Sequence, residues 1–146
     1  MTEEISTDYT YSTADANHTN AYLWTPVARE LSSFSPSSAK MGVFDLGCGN
    51  GALARHLEEL GYEVTGVDPS QSGIEIAKRE HPSIRLEIGN AYENLAARYG
   101  QFRAVVSLEV VEHVYFPRKY ARCIHDLLEP GGIAIISTPY HSYLKN

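Results

Sequence analysis

The stretch "MGVFDLGCGNGALARHLEELG", residues 41–61, joins an apolar run to an amphipathic run through three glycines in five positions. The apolar run predicts a β-strand at 42–47, and the leucine spacing predicts a helix at 52–61 that ends at Gly61. Because glycine loses more backbone entropy on folding than other residues, such a cluster marks a tight turn or a close approach to a ligand. The stretch therefore predicts a ligand-binding loop between a strand and a helix.

The alternation of apolar and amphipathic runs continues along the chain. Further strands are predicted at 62–68, 84–90, 102–109 and 133–139, with helices at 71–81, 91–100 and 117–132. Strands that alternate with helices favour parallel pairing. We therefore predict an α/β fold with a Rossmann-like, doubly wound, mainly parallel sheet of five strands.

Two regions are expected from these patterns. Residues 1–40 form an N-terminal arm and cap helix, in which Thr25 is predicted as the N-cap and Pro26 as the first helical residue. Residues 41–146 form the Rossmann-like domain. Its fifth strand is apolar along most of its length, so an uncovered edge would be prone to pairing. Either it pairs with a second copy in a homodimer, or C-terminal strands of the full fold are missing.

Composition excludes several classes of protein. The formal net charge of −6 predicts no nucleic-acid partner, since a polyanion requires a basic surface. No stretch approaches the roughly 20 apolar residues of a membrane span, and the polar, acidic N-terminus is not a secretory signal. The two cysteines are too few for a disulfide framework, so we expect reduced thiols and a cytoplasmic location.

The glycine loop predicts a positively charged ligand. Ligands of open α/β sheets bind beyond the carboxyl ends of the strands, where this loop lies. Its pattern G-C-G-N-G-A lacks the third glycine of the dinucleotide fingerprint and the lysine of a phosphate loop. Asp45, two residues before Gly47, suits an ammonium or sulfonium group better than a pyrophosphate. Gly47 is expected to adopt a positive φ, while Gly49 and Gly51 leave bare backbone for the ligand.

Five segments in this order resemble the motifs of one family. They are "VFDLGCGNG", "VTGVDPS", "IGNAYE", "VVSLEVVEHV" and "LEPGGIAIISTP", which together cover residues 41 to about 140. They resemble class I S-adenosylmethionine-dependent methyltransferases, with the ubiquinone-biosynthesis O-methyltransferases as the most similar type. The resemblance implies S-adenosylmethionine as the cofactor and a small-molecule acceptor that is methylated at oxygen.

The same resemblance implies which residues contact the cofactor. The predicted set is Asp45, Gly47, Cys48, Gly49, Asn50, Gly51, Asp68, Pro69, Ser70, Asn90, Ala91 and Glu109. Asp68 lies about 20 residues after the loop, as an acid that binds ribose hydroxyls does, although Asp-Pro also favours a turn. Asn90 stands where the family usually has aspartate beside the adenine, and it could instead be a turn residue. Cys48 is expected to be a small packed residue, not a nucleophile.

An acidic cluster follows the fourth strand. Glu109, Glu112 and His113 have the side-chain chemistry of a divalent-metal site or an acid/base pair, and Glu112 and His113 are the predicted catalytic residues. In the alternative interpretation Glu109 only borders the cofactor, Glu112 is solvated and His113 packs in the loop. His141 could add a metal ligand but lies near the chain end.

Other functions stay open at this point. A module that binds the cofactor without turnover, or an incomplete enzyme, would carry the same motifs. A nicotinamide-dependent oxidoreductase is disfavoured by the missing glycine and by Asp45, and a small-RNA methyltransferase by the acidic charge. The N-terminal helix, with Tyr22, Leu23 and Trp24, is expected either to cover the ligand or to join the core.

Overall fold

The computed structural model describes residues 21–34 and 40–139. Five helices and five strands alternate after the first helix: α1 (Trp24–Phe34), β1 (Gly42–Leu46), α2 (Ala52–Glu59), β2 (Glu63–Asp68), α3 (Gln71–Glu80), β3 (Arg85–Ile88), α4 (Leu95–Tyr99), β4 (Phe102–Leu108), α5 (Pro117–Leu127) and β5 (Leu128–Ser137). Short 3-10 turns cover Ala21–Leu23 and Val111–His113. The expectations for residues 1–20, 35–39 and 140–146, including His141, lie outside the described residues.

The five strands form one parallel sheet with the order β3-β2-β1-β4-β5. In the centre Val43 of β1 lies opposite Val64 of β2 and Ala104 of β4. Strand order reverses between β1 and β4, which creates a crevice at their carboxyl ends where ligands of such sheets bind. The predicted Rossmann-like α/β fold is thus confirmed.

Helices cover both faces of the sheet because apolar side chains alternate along the central strands. On one face α1, α2 and α3 contribute Leu31, Leu57 and Ile74 to a core that includes Val43. On the other face α4 and α5 pack buried side chains around Phe44. The helix and strand patterns therefore place the sheet between two apolar layers.

Several boundaries differ from the predicted ones, most of all those of α1, α4 and α5. Helix α1 begins at Trp24, after a 3-10 turn, so the predictions of Thr25 as the N-cap and Pro26 as the first helical residue are both wrong. Helix α4 is shorter than expected, because a polar turn precedes Leu95. Helix α5 ends at Leu127, since Pro130 and the glycines after it are poor helix residues, and they belong instead to β5. Within 21–34 and 40–139, no helix has the length and apolar character needed to cross a bilayer.

Candidate functional site

The loop after β1 is tied to the end of β2 by backbone hydrogen bonds. The carbonyl oxygen of Val67 accepts from the N–H groups of Gly47, at 2.8 Å, and Cys48, at 3.0 Å. The N–H of Gly49 donates to Oδ2 of Asp68 at 2.8 Å. These bonds hold the glycine loop against the carboxyl end of the neighbouring strand, beside the crevice.

Two glycines of this loop, Gly47 and Gly51, are required by the protein's own packing. Gly47 has a φ of 90°, as predicted, and a Cβ on it would collide with Cγ2 of Val110 in the loop after β4. Gly51 has a φ of 81°, and its missing Cβ leaves space for Leu86 and His81, whose nearest atoms would lie at 2.7 and 3.1 Å. The Cβ position of Gly51 therefore faces the protein's own side chains.

Asp68 ends β2 and accepts two backbone hydrogen bonds. Oδ2 takes the Gly49 bond, and Oδ1 accepts from the N–H of Ser70 at 2.8 Å. The bond from Ser70 closes a turn of the kind that the Asp-Pro sequence favours. The hydroxyl oxygen of Ser70 in turn caps α3 by accepting from the N–H of Gly73, and Pro69 is exposed between them. Each carboxylate oxygen keeps a lone pair for a further donor.

Asp45 is the most strongly perturbed carboxylate of the site. It lies within β1 and is 2% exposed, and its Oδ2 has no hydrogen-bond partner among the described residues. Burial, with a smaller contribution from the charge of Asp68, raises the pKa of Asp45 to about 7. Burial also raises the pKa of Asp68, against the opposing effect of its two N–H donors. Two adjacent buried carboxylates create a site that favours a cation.

The thiol between these carboxylates is not activated. Cys48 is buried, and burial together with the charges of Asp45 and Asp68 raises its pKa well above the usual value. A nucleophilic cysteine needs the opposite shift. The expected packing role of Cys48 agrees with this environment. Asn50 is also buried, and its Oδ1 accepts from the N–H of Ala52 at 3.3 Å.

The loop after β3 is shaped by Asn90. Its Oδ1 accepts from the N–H of Tyr92 at 2.8 Å, while Nδ2 and the backbone N–H of Asn90 donate to Oε1 of Glu93. The turn interpretation of Asn90 is therefore observed. Ala91 is buried, and the hydroxyl oxygen of Tyr92 accepts from the N–H of Tyr115. This last bond connects the loop after β3 to the segment that leads into α5.

Glu109 has a strained backbone that Ser137 holds in place. It adopts a φ of 57°, a left-handed conformation that costs roughly 1–3 kcal/mol for a residue with a side chain. Its N–H donates to Oγ of Ser137 at 3.0 Å, and that hydroxyl donates to Oε1 of Glu109 at 2.6 Å. The end of β5 thus orients the loop after β4. Neither Ser137 nor Val110 was expected at the site from the sequence, since neither has distinctive chemistry.

The side chains of the predicted acidic cluster are not arranged together as metal ligands in the described part of the chain. The Glu112 carboxylate lies 3.9 Å from Nε2 of His113, whose side chain is 70% exposed, whereas Glu109 bonds to Ser137. Across residues 21–34 and 40–139, no group of three or more His, Cys, Asp or Glu side chains is arranged to hold a metal ion. The structure therefore does not support Glu109, Glu112 and His113 as joint metal ligands. Glu112 and His113 remain neighbours beside the crevice.

The N-terminal helix joins the core on the face of α2. The ring of Trp24 stacks on the ring of His56 with centroids 4.8 Å apart, and Leu23 packs against the core of that face. Tyr22 is 64% exposed. Of the two roles expected for these residues, the contacts of Leu23 and Trp24 correspond to the packing role.

Fold and crevice together define a Rossmann-like protein whose site, at the β1–β4 switch, is built from buried carboxylates and a glycine loop. Comparison with known proteins identifies the family: residues 17–145 match the model of a methyltransferase domain. The chain belongs to this family, as the resemblance of its motifs predicted.

Characterised relatives of the chain are longer than it is. The chain is 40% identical over 113 residues to the ubiquinone biosynthesis O-methyltransferase of Ruegeria pomeroyi, which covers 75% of this chain and 45% of that protein. It is 36% identical over 124 residues to the protein of the same name from Roseobacter denitrificans. That alignment covers 80% of this chain and 50% of that protein. The chain therefore spans about half the length of these curated relatives.

Solved structures of the same fold are also methyltransferases. One is an S-adenosylmethionine-bound amino pentose methyltransferase from Micromonospora echinaspora, with a TM-score of 0.70, 19% identity, and coverage of 92% of this chain and 61% of that chain. Another is a TehB-like S-adenosylmethionine-dependent methyltransferase from Corynebacterium glutamicum, with a TM-score of 0.65 and 23% identity. The match covers 81% of this chain and 70% of that chain. At these identities the likeness concerns the fold.

Proposed function

We propose that this chain binds S-adenosylmethionine and transfers its methyl group to the oxygen of a small-molecule acceptor. The observation that carries the proposal is the pair of buried carboxylates at the switch point, Asp45 and Asp68, with one Asp45 oxygen lacking a partner among the described residues. A ligand with an ammonium group and vicinal hydroxyls would offer the first to Asp45 and the second to Asp68. Membership of the methyltransferase domain family supports the same ligand.

In this proposal the crevice holds the cofactor in three parts. Asp45 and the backbone of the 47–51 loop bind the amino-acid end, because Asp45 offers an unpaired oxygen there. Asp68 uses its remaining lone pairs for the ribose hydroxyls. Asn90 and Ala91 border the adenine from the loop after β3, and Glu109, held by Ser137, borders it from the loop after β4.

The reaction that this arrangement would serve is an in-line displacement. The acceptor oxygen forms a bond to the methyl carbon while the carbon–sulfur bond breaks, and the electron pair leaves with sulfur as the neutral thioether. Alignment supplies most of the rate enhancement, because the sulfonium is already a good leaving group. The acceptor must also lose a proton. We propose His113 as the base and Glu112 as its partner, since their side chains lie 3.9 Å apart.

Asp68→Ala tests the cofactor site directly. The change removes the group proposed to bind the ribose, so affinity for S-adenosylmethionine should fall by roughly 1–3 kcal/mol. Titration calorimetry with S-adenosylmethionine and S-adenosylhomocysteine measures the loss. Glu75→Gln is a suitable control, because Glu75 is exposed on α3 and, among the described residues, accepts from Gln71 alone. Equal affinity of the wild type and Asp68→Ala would remove Asp68 from the site.

A second candidate is a module that binds the cofactor without turnover. It is favoured by the exposure of the His113 side chain, which is 70% exposed and lies 3.9 Å from the Glu112 carboxylate. Assays of methyl transfer to catechol-like acceptors separate the two candidates. Turnover that is lost in His113→Asn supports the enzyme, whereas binding without turnover supports the module.

We also propose a cytoplasmic homodimer. Both cysteines are buried and free, which agrees with a reducing compartment. Strand β5 pairs with β4 on one side only among the described strands, and Ile136 is 47% exposed on it. A second copy of the chain could continue the sheet at this edge.

A further inference from the structure

A groove that shares Ala91 with the proposed cofactor set, but whose lining contains neither Asp45 nor Asp68, lies between the loop after β3 and helix α5. It has a volume of roughly 320 Å³, which is at the lower end of the range for small-molecule sites. Three cationic side chains of α5 line it: Arg118, Lys119 and Arg122. Their spacing of three and four residues places them on one face of the helix.

These three cations form no ion pair with the described side chains. Arg118 and Arg122 form neither a salt bridge nor a hydrogen bond with any described residue. Lys119 lies over the ring of Phe116, with Nζ 4.9 Å from the centroid, and has no acidic partner in the described part of the chain. A net positive surface is unusual on a protein whose formal charge is −6.

The two acidic residues of the groove interact with other groups. Oε1 of Glu93 accepts from the backbone N–H and Nδ2 of Asn90 at 3.0 and 2.9 Å. Oδ1 of Asp126 lies 3.1 Å from Nδ1 of His125. The lining therefore carries three cationic and two anionic side chains, and the two arginines are the charged groups in it that have no partner among the described residues.

An aromatic wall borders the cationic end of the groove. Tyr92, which lines the groove, packs edge-on against Phe116 with ring centroids 5.6 Å apart. The backbone N–H of Tyr115 donates to the Tyr92 hydroxyl, so this wall is held in place from both loops. It offers an apolar surface for the organic part of a ligand whose anionic group meets the arginines.

We propose that this groove binds a phosphate group. Two arginines and a lysine within one helical turn match the fork geometry and charge of a phosphate better than those of any neutral group. The phosphate could belong to a free phosphorylated small molecule or to a phospholipid headgroup. This site goes beyond the proposed function, because none of its cations is assigned to the cofactor or to methyl transfer.

The test compares two double variants of equal charge. Arg118→Gln with Arg122→Gln removes two groove cations, whereas Arg55→Gln with Arg79→Gln removes two exposed arginines that pair with Glu59 and Glu80 outside the groove. Titration of inorganic phosphate, followed by amide chemical shifts, should show saturable binding that weakens at least about tenfold in the groove variant only. No saturable binding, or equal weakening in both variants, would overturn the proposal.

Vesicles identify the source of the phosphate. Co-sedimentation with phosphatidylglycerol vesicles, lost in the groove variant and absent with phosphatidylcholine, assigns the site to an anionic lipid headgroup. Binding of inorganic phosphate without co-sedimentation assigns it to a free phosphorylated compound. Both double variants should bind S-adenosylhomocysteine like the wild type, so failure of this site is distinguishable from failure of the cofactor site.

Discussion

Asp45 shows how one buried residue couples charge, stability and ligand binding. Its pKa is raised from 3.8 to about 7 because β1 carries it into the core beside Asp68. Between these two values the folded protein binds a proton that the unfolded chain does not bind. Stability should therefore fall as pH rises through this range, and a bound cation should keep Asp45 ionised.

We predict that Asp45→Asn removes this pH dependence. From about pH 8 to about pH 5.5 the wild type should gain about 2 kcal/mol of unfolding free energy relative to Asp45→Asn, since protonation relieves the buried charge. Urea unfolding of both proteins at the two pH values measures the difference, and the other titrating groups cancel. A difference that does not change with pH would show that Asp45 titrates near its usual value.

The backbone conformation of Glu109 depends on a single side chain, that of Ser137. A strained left-handed glutamate persists only when its surroundings hold it, and here the two hydrogen bonds with the Ser137 hydroxyl do so. The acid was predicted from its motif, but its conformation depends on a residue of another strand. The sequence indicates Glu109 but not the hydroxyl of Ser137 that stabilises it, because 28 residues separate Glu109 from Ser137 in the chain.

At the scale of elements, the β1–α2 connection depends on packing space at Gly51. Both Gly51 and Gly61, at the two ends of α2, have a positive φ of 81° and 95°. They differ in their surroundings, since a Cβ on Gly51 would lie 2.7 Å from Leu86 whereas one on Gly61 would meet nothing within 4 Å. The two positions therefore separate backbone strain from steric overlap.

We predict that Gly51→Ala destabilises the protein more than Gly61→Ala. Both changes should cost the left-handed strain of an alanine, and Gly51→Ala should cost a further roughly 1–3 kcal/mol for overpacking against Leu86 and His81. Urea unfolding of the two variants gives the difference. Equal losses would mean that the loop moves to make room, and that the close packing at Gly51 carries no energy.

Element boundaries were predictable where local chemistry sets them. Ser70 caps α3, and Gly61 follows α2 in a left-handed conformation, as a helix end requires. The segment Leu128–Gly132 was expected to continue α5 and instead begins β5. Leu128 pairs with Phe102 of β4, and Gly132 lies against the carbonyl oxygen of Arg103. Both are tertiary contacts, which the local pattern does not contain.

At the scale of the whole molecule, the outer edge of β5 is the proposed dimer contact. We predict that the wild type has twice the mass of one chain by light scattering at micromolar concentration. Ile136→Lys should give the mass of one chain, because an edge lysine opposes strand pairing. Leu60→Lys, at a similarly exposed aliphatic residue at the end of α2, should leave the mass unchanged. A wild type with the mass of one chain would contradict the homodimer.

The alternation of strands and helices, the glycine loop and the acids at 45, 68 and 109 could be recognised along the chain, because periodicity and residue chemistry are local properties. The packing of Val110 against Gly47, the bond from Ser137 to Glu109 and the exposure of His113 became apparent only in the folded molecule. Each depends on which loops meet at the sheet's carboxyl edge. That meeting is governed by strand order and by the space between side chains distant in sequence.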